Sequence, residues 1–389
     1  MKELIVYKNN EKKNIMLVQN GILVENHIEY EKNKTIEGNI YIGKVQNVFQ
    51  GMQAAFVNIG KNKNAFIHLK DILPKQDVVK NGKQTITENI KDIIKPGDPI
   101  LVEIKRDSTS KKGARVSTHI SLTGRFIVLL PNSPFITISQ KITDEQERAR
   151  LTEITKKYIP KDMGAIVRTV SNNAAEENIK NDIERMLEKW NKIVSEGVEG
   201  YPKLVYDTGG ILFKILTDLI DSDLEKISVN DADDYNFIKQ YLEESDVNIK
   251  IEMNNDVLNL HDLEKQLDRA ENRKIWLKCG GFITIDKTEA LTAIDVNSGK
   301  YVGDKNLEST AYTVNKEAAI EIAKQLRLRD IGGIVIIDFI DMYNKENLEK
   351  IIDKMKEETK KDRSKVQVEG FTKLSLMELT RKHICSNNM

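Results

Sequence analysis

The residues most able to do chemistry lie between positions 282 and 342, where Asp295, Asn297, Asp338 and Asp341 each follow a short apolar run. Phe282-Ile283-Thr284-Ile285-Asp286 alternates as a strand does, and Lys287-Thr288-Glu289 makes a turn. Ala290-Leu291-Thr292-Ala293-Ile294 returns as a second strand into Asp295-Val296-Asn297-Ser298-Gly299. A helical period over about 307–328 puts Ala311, Val314, Ala318, Ile322 and Leu326 on one face. Gly332-Gly333 stops that helix. Ile334-Val335-Ile336-Ile337 then reads as a strand buried on both sides, ending in Asp338-Phe339-Ile340-Asp341. Aspartate is a poor strand residue and costly to bury alone. Two neighbouring strands that end in aspartate and are joined by a helix bring carboxylates together at the carboxyl edge of a sheet, where open α/β sheets bind ligands. Hard oxygen donors with few other ligands suit Mg²⁺ or Mn²⁺. Asp341 would face away from Asp338 on a continuing strand and would join it if the strand ends. Asp286 and Glu289 read as turn residues.

The elements that must position these groups belong to a chain of 389 residues, long enough for two to four modules. Hydrophobic content of 40% can fill real cores. The 60 basic residues equal the 60 acidic ones, so any nucleic-acid surface must be a local patch. No secretory h-region or membrane-spanning apolar stretch is present, and the two cysteines, Cys279 and Cys385, offer no disulfide framework. A cytoplasmic protein is the plain reading.

Residues 38–125 carry short alternating strands separated by glycine and polar turns, the signature of an all-β module. Lysine-rich residues 75–95 read as an inserted loop, and Pro96-Gly97-Asp98 turns the chain into Ile100-Leu101-Val102-Glu103-Ile104. The pattern resembles the S1-type RNA-binding barrel of the OB-fold class. Phe56 and Phe66 are candidates for stacking nucleobases and Lys112 for a phosphate contact. Strand phenylalanines serve a core equally well, so both readings stay open.

Three stretches carry a wider resemblance. They are Thr288-Glu289-Ala290-Leu291 with Ile294-Asp295-Val296-Asn297-Ser298, then Ala323-Lys324-Gln325-Leu326-Arg327-Leu328-Arg329-Asp330, then Val335-Ile336-Ile337-Asp338-Phe339-Ile340-Asp341-Met342. In this order, and through nearly the whole chain, the sequence resembles the catalytic half of the bacterial ribonuclease E/G family, the shorter ribonuclease G branch more than the longer one. The resemblance implies an α/β multidomain architecture. Residues 1–35 and 203–278 would form a discontinuous ribonuclease H-like structural domain and 36–125 an S1 domain. Residues 126–202 would form a sensor of the RNA 5′ end, and 279–389 a DNase I-like catalytic domain. In 1–35 the residues themselves show short strands and an Asn20-Gly21 hairpin turn. Asp218, Asp221, Asp223, Asp231, Asp233 and Asp234 read as a solvated acidic face.

The resemblance also assigns residues. Asp295 and Asp338 would ligate a catalytic Mg²⁺, with Asn297 supporting Asp295 or orienting water and Asp341 as a further candidate. Arg168, Thr169, Gly124 and the Val128 amide would receive a 5′-phosphate. Gln140-Lys141 stands where the family usually carries two arginines, which weakens that discrimination. Arg363 and Lys365 are candidates to offset charge on the phosphorane. The family continues into a Cys-Pro-x-Cys pair that shares Zn²⁺ between subunits, whereas here His383-Ile384-Cys385 precedes the last residues. One thiolate cannot supply a four-ligand zinc site. The expectation is therefore a catalytic domain cut short at its C-terminal end, no family-type zinc link, and a monomer or homodimer in place of the family tetramer. The implied activity is Mg²⁺-dependent hydrolysis of single-stranded, A/U-rich RNA to 5′-phosphate and 3′-hydroxyl ends, in rRNA and tRNA maturation and mRNA decay. The alternatives are an RNA-binding paralogue that cuts poorly and a metal phosphodiesterase acting on DNA.

Overall fold

The computed structural model describes residues 1–72, 89–109, 112–196, 200–220, 223–300 and 307–383. The chain divides into two compact units, Met1–Asn33 with Asp223–Asn388, and Lys34–Ser222. Most of the lysine-rich insertion, together with Asp221 and the Cys385 of the zinc expectation, lies outside the described residues. Among the described residues no helix is long and apolar enough to cross a membrane.

The first unit holds two sheets. In one, Lys2–Lys8, Lys12–Gln19 and Ile22–Tyr30 form an antiparallel meander, and Lys226–Val229 and Lys250–Met253 extend it in parallel from Lys2–Lys8. Asn20 and Gly21 take φ of 50° and 76°, the left-handed pair that a two-residue hairpin demands.

The second sheet has six strands in the order Lys274–Trp276, Phe282–Lys287, Leu291–Asn297, Gly333–Asp338, Leu376–Arg381 and Val366–Phe371. Leu291–Asn297 and Gly333–Asp338 run parallel, joined through the helix Leu307–Leu328. That helix buries Ala311, Val314, Ala318, Ile322 and Leu326, as its period requires, and the helix Lys345–Thr359 adds Ile351 and Met355. Both pack on the face carrying Ile283, Ile294, Val335 and Ile337. The opposite face is open. Ile334 is 49% exposed and Ile336 half-buried, so Gly333–Asp338 is covered on one face and not on both as its composition predicts. An unbroken apolar run cannot show whether a second layer exists.

In the second unit, Ile40–Phe49, Ala54–Asn58, Ala65–His68, Arg115–Ser117 and Pro99–Arg106 close into a small barrel through the pairing of the first strand with the last. Gly97, at φ 97°, makes the turn into the closing strand. A four-stranded sheet, Ile136–Ile138, Gly164–Val167, Ile127–Leu130 and Leu122–Thr123, packs with the helices Glu145–Tyr158 and Glu176–Glu196 around one core. Lys203–Tyr206, expected with the N-terminal strands, instead pairs antiparallel with Ile40–Phe49, and residues through Ser222 fall in this unit. Long-range strand pairing decides that boundary, and composition carries no trace of it.

Candidate active site and RNA-facing surfaces

On Leu291–Asn297 the residues alternate between core and solvent: Ile294 and Val296 are buried, while Ala293, Asp295 and Asn297 are exposed. On Gly333–Asp338 the outward positions are Ile334, Ile336 and Asp338. The parallel register places Asp295 directly across from Asp338. Side chains opposite each other in neighbouring strands share a face, so the two carboxylates stand side by side on the open face at the carboxyl ends of the strands. The strand ends at Asp338. Asp341 therefore lies in the exposed connection after it, the second of the two arrangements open to it.

Electrostatics agree. Partial burial and the charges of Asp295 and Asp341 hold the Asp338 carboxyl above its ordinary range. Among the described residues no cation forms an ion pair with Asp295, Asp338 or Asp341. No three His, Cys, Asp or Glu side chains among those residues form a ready metal cage either. Two carboxylates with a third close by offer hard oxygen donors to a divalent cation that keeps several waters of its own. Asn297 accepts a hydrogen bond from the Gly299 amide at 3.0 Å, which fixes its side chain two residues beyond Asp295.

The Asp341 connection is held from behind by groups the sequence reading missed. Asn315, fully buried on Leu307–Leu328, donates to the Ile340 carbonyl at 2.8 Å and accepts from the Ile340 amide at 3.0 Å. Glu308 accepts from the Tyr343 and Asn344 amides and from the Asn347 side chain. A polar residue on an otherwise apolar helix face was the available signal for Asn315. Arg363 and Lys365 require correction. Arg363 is bound to Glu25 at 2.7 Å, and the Lys365 carbonyl accepts from the Lys382 amide. Both precede Val366, whose register through Arg381 leads to Gly333, the opposite end of the strand from Asp338. Asp286 also differs from its turn reading, being within its strand and paired with Arg273.

On the barrel, Phe56 and Phe66 are cross-strand partners with ring centroids 6.0 Å apart, while Ala55, Val57, Ala65 and Ile67 face the core. Both rings are half-buried and stand outside the barrel's core cluster, on the side the stacking reading requires. Phe49, 5.6 Å from Phe56, makes a third ring that the sequence reading missed because a bulge after Val45 shifts the alternation. Lys112 is exposed, in a turn closed by its amide on the Thr109 hydroxyl. Gly113 follows because a Cβ there would meet the Asn64 carbonyl at 1.9 Å, and the next residue, Ala114, accepts from the Phe66 amide. Lys112 thus lies two residues before the strand contact to Phe66.

Arg168 donates to the Gly124 and Arg125 carbonyls at 3.1 and 3.0 Å and to the Thr217 carbonyl, with Asp218 at 3.6 Å. The fork is oriented, yet much of its donor capacity is already used. Thr169 shares a hydrogen bond with Ser139, next to the exposed Gln140 and Lys141. Val128 lies half-buried in the middle of its sheet, opposite Ile166. Buried Asp182, also missed, accepts from the Arg125, Phe126 and Ile127 amides, and Gly124 must be glycine because a Cβ would meet this carboxylate at 2.5 Å. Arg168, Thr169 and Gly124 therefore share one end of this sheet, with Val128 one register step further in. The aspartates between 218 and 234 are only partly a solvated face. Asp218 pairs with Arg168, Asp231 with Lys8, and Asp234 is buried against Lys13.

Comparison with known proteins bears on what this arrangement is. A profile described as S1 RNA binding domain matches residues 34–119, the barrel. A profile of the Ribonuclease E/G family matches residues 121–384, which contain both the Arg168 region and the aspartates. Ribonuclease G of Salmonella typhimurium (strain SL1344) and of Escherichia coli (strain K12) are each 36% identical over 390 residues, covering 98% of this chain and 79% of the relative. Ribonuclease E of Buchnera aphidicola is 32% identical over 392 residues, covering 99% of this chain and 40% of the relative. With the profile spanning most of its length and the aspartates in register, the chain belongs to the ribonuclease E/G family.

Proposed function

We propose that this protein is a Mg²⁺-dependent endoribonuclease that hydrolyses single-stranded, A/U-rich RNA to 5′-phosphate and 3′-hydroxyl ends, in rRNA and tRNA maturation and mRNA decay. The observation that carries the reading is Asp295 across from Asp338 at the carboxyl ends of two parallel strands, on a sheet face open to a polymer. Family membership supports endoribonuclease chemistry with a divalent metal, and the S1 match supports RNA as the bound polymer. Asp295 and Asp338 would hold the Mg²⁺, and Asn297 and Asp341 would orient water around them. When bound, the ion polarises a phosphoryl oxygen and lowers the pKa of water. Phe56 and Phe66 stack bases, Lys112 meets a phosphate, and Arg168 with Thr169, Gly124 and Val128 receives the RNA 5′ end.

We assign the five-stranded sheet of the first unit to a ribonuclease H-like domain. The support is its order, three antiparallel strands followed by two parallel ones on the far side of the first. The six-stranded sheet is assigned to a DNase I-like domain, and the Ile127 sheet with its two helices to a 5′ sensor. The place of action proposed is the cytoplasm, as a monomer or homodimer.

The deciding experiment is cleavage of a labelled single-stranded RNA with and without Mg²⁺, with mapping of both new ends. The proposal expects 5′-phosphates that accumulate with Mg²⁺ and disappear with EDTA. Products ending in 2′,3′-cyclic phosphate would overturn the hydrolytic route. RNA binding without metal-dependent cutting would leave a binding protein and not a nuclease.

A further inference from the structure

Trp276, Phe282 and Lys274 form a cluster that none of the roles above uses. Trp276 is 55% exposed, on the strand that edges the catalytic sheet. It pairs directly with Phe282, and the two rings meet edge to face with centroids 5.3 Å apart. The Lys274 ammonium lies 4.3 Å from the Trp276 ring centre and 3.5 Å from that of Phe282.

The register ties this cluster to the aspartates. Phe282 is opposite Asn297, and Thr284 is opposite Asp295. Directly opposed residues share a face, so the rings lie on the open face that carries both carboxylates. A strand advances roughly 3.3 Å per residue, so Asn297 and Asp295 are about one nucleotide step apart along it. Gly299, whose amide holds Asn297, sits against both rings: a Cβ there would come within 3.2 Å of Phe282 and 3.4 Å of Trp276. The turn that fixes Asn297 therefore also seats the aromatic pair.

An exposed indole with a lysine over the neighbouring ring is poorly explained as core. It combines a sequence-tolerant π surface with a cation that can follow a phosphate, the pairing used on single strands. We propose that Trp276, Phe282 and Lys274 form a nucleobase-stacking subsite beside the carboxylates, which holds an unpaired base of single-stranded RNA next to the bond that is cut. The subsite rests on the proposed nuclease function, and its test separates the two.

The chain has two tryptophans, of which Trp190 is 8% exposed, so Trp276 is the one a ligand can reach. Titrating the full chain in EDTA with an unstructured ten-nucleotide RNA should quench tryptophan emission in a saturable way. The same RNA annealed to its complement should quench little. In Trp276→Phe the quench should vanish while binding is largely kept. With Mg²⁺, Trp276→Ala should raise KM about five- to a hundredfold, the range expected for one lost stack, with kcat changed less than about twofold. Trp276→Phe should restore most of that loss. If wild type cuts and Trp276→Ala cuts with unchanged KM, the subsite is wrong and the nuclease reading stands. If wild type fails to cut while the quench persists, the nuclease reading is wrong and the binding site stands. Should light scattering show that Trp276→Ala changes only the oligomeric mass, the cluster is a contact between copies and the proposal falls.

Discussion

Two sheets in the first unit each carry acidic residues at or just past the ends of parallel strands, yet they treat them in opposite ways. Beyond Lys226–Val229, Asp231 is met by Lys8 at 3.1 Å, and Asp234 is buried against Lys13 at 2.5 Å. Both lysines come from strands of the same sheet, so that edge is internally neutralised. At the ends of Leu291–Asn297 and Gly333–Asp338, Asp295 stands across from Asp338 with the charge of Asp341 acting on Asp338, and among the described residues no lysine or arginine pairs with the three. The lesson is that acidic residues at a sheet edge mark a site when the fold leaves their charge unbalanced. Where the fold supplies the countercharge, they are structure.

The sharpest way to break this comparison is Asp338→Asn. It should cut the rate of RNA cleavage by roughly a thousandfold or more, since a metal ligand stabilises the transition state by several kcal/mol. It should not lower the melting temperature without metal, because it removes a repelled charge. Cleavage near the wild-type rate would end the metal assignment.

The next largest effect is expected on stability at the neutralised pairs. Asp234→Ala strands Lys13 in a buried setting and should cost about 3–5 kcal/mol in urea unfolding. Cleavage per folded molecule should stay unchanged. A variant that unfolds normally but cuts poorly would show that this edge takes part in function after all.

Glu25 offers a related test with a pH signature. Burial alone would raise its carboxyl, but hydrogen bonding to His27 and the charge of Arg363 bring it down from 4.5 to about 2. A depressed carboxylate adds stability that is complete above its unfolded value and fades as pH falls. The gap between wild type and Glu25→Gln should therefore be full at pH 6 and shrink from about 4.5 down through about 2. Urea melts across that window would measure it, and a gap independent of pH would contradict the assignment.

Smaller still is the barrel contribution. Phe56→Ala and Phe66→Ala should each weaken short single-stranded RNA by about 1–3 kcal/mol. Thermal midpoints must be followed beside binding, and a collapse in stability with unchanged affinity would return the rings to a packing role. The smallest expected effect is stabilisation by Mg²⁺ itself. At ten times Kd it adds about 1.4 kcal/mol, visible as a rise of a few degrees in wild type and absent in Asp338→Asn.

Much of this was legible in the residues. Period 3.6 gave the helix Leu307–Leu328, Asn20-Gly21 its hairpin, and the apolar runs ending in Asp295 and Asp338 the parallel pair. These are local facts: backbone preference, side-chain period and turn chemistry act within a few residues. Tertiary structure decided the rest. Ile334 and Ile336 are as apolar as Val335 and Ile337, and only the placement of both helices on one face left them open. Phe56 could have been core until the barrel closed and turned it outward. Arg363 could have served the phosphate until Glu25, 338 residues away in sequence, claimed it. Charge balance, layer coverage and long-range pairing depend on which distant segments meet, and no window of sequence contains that.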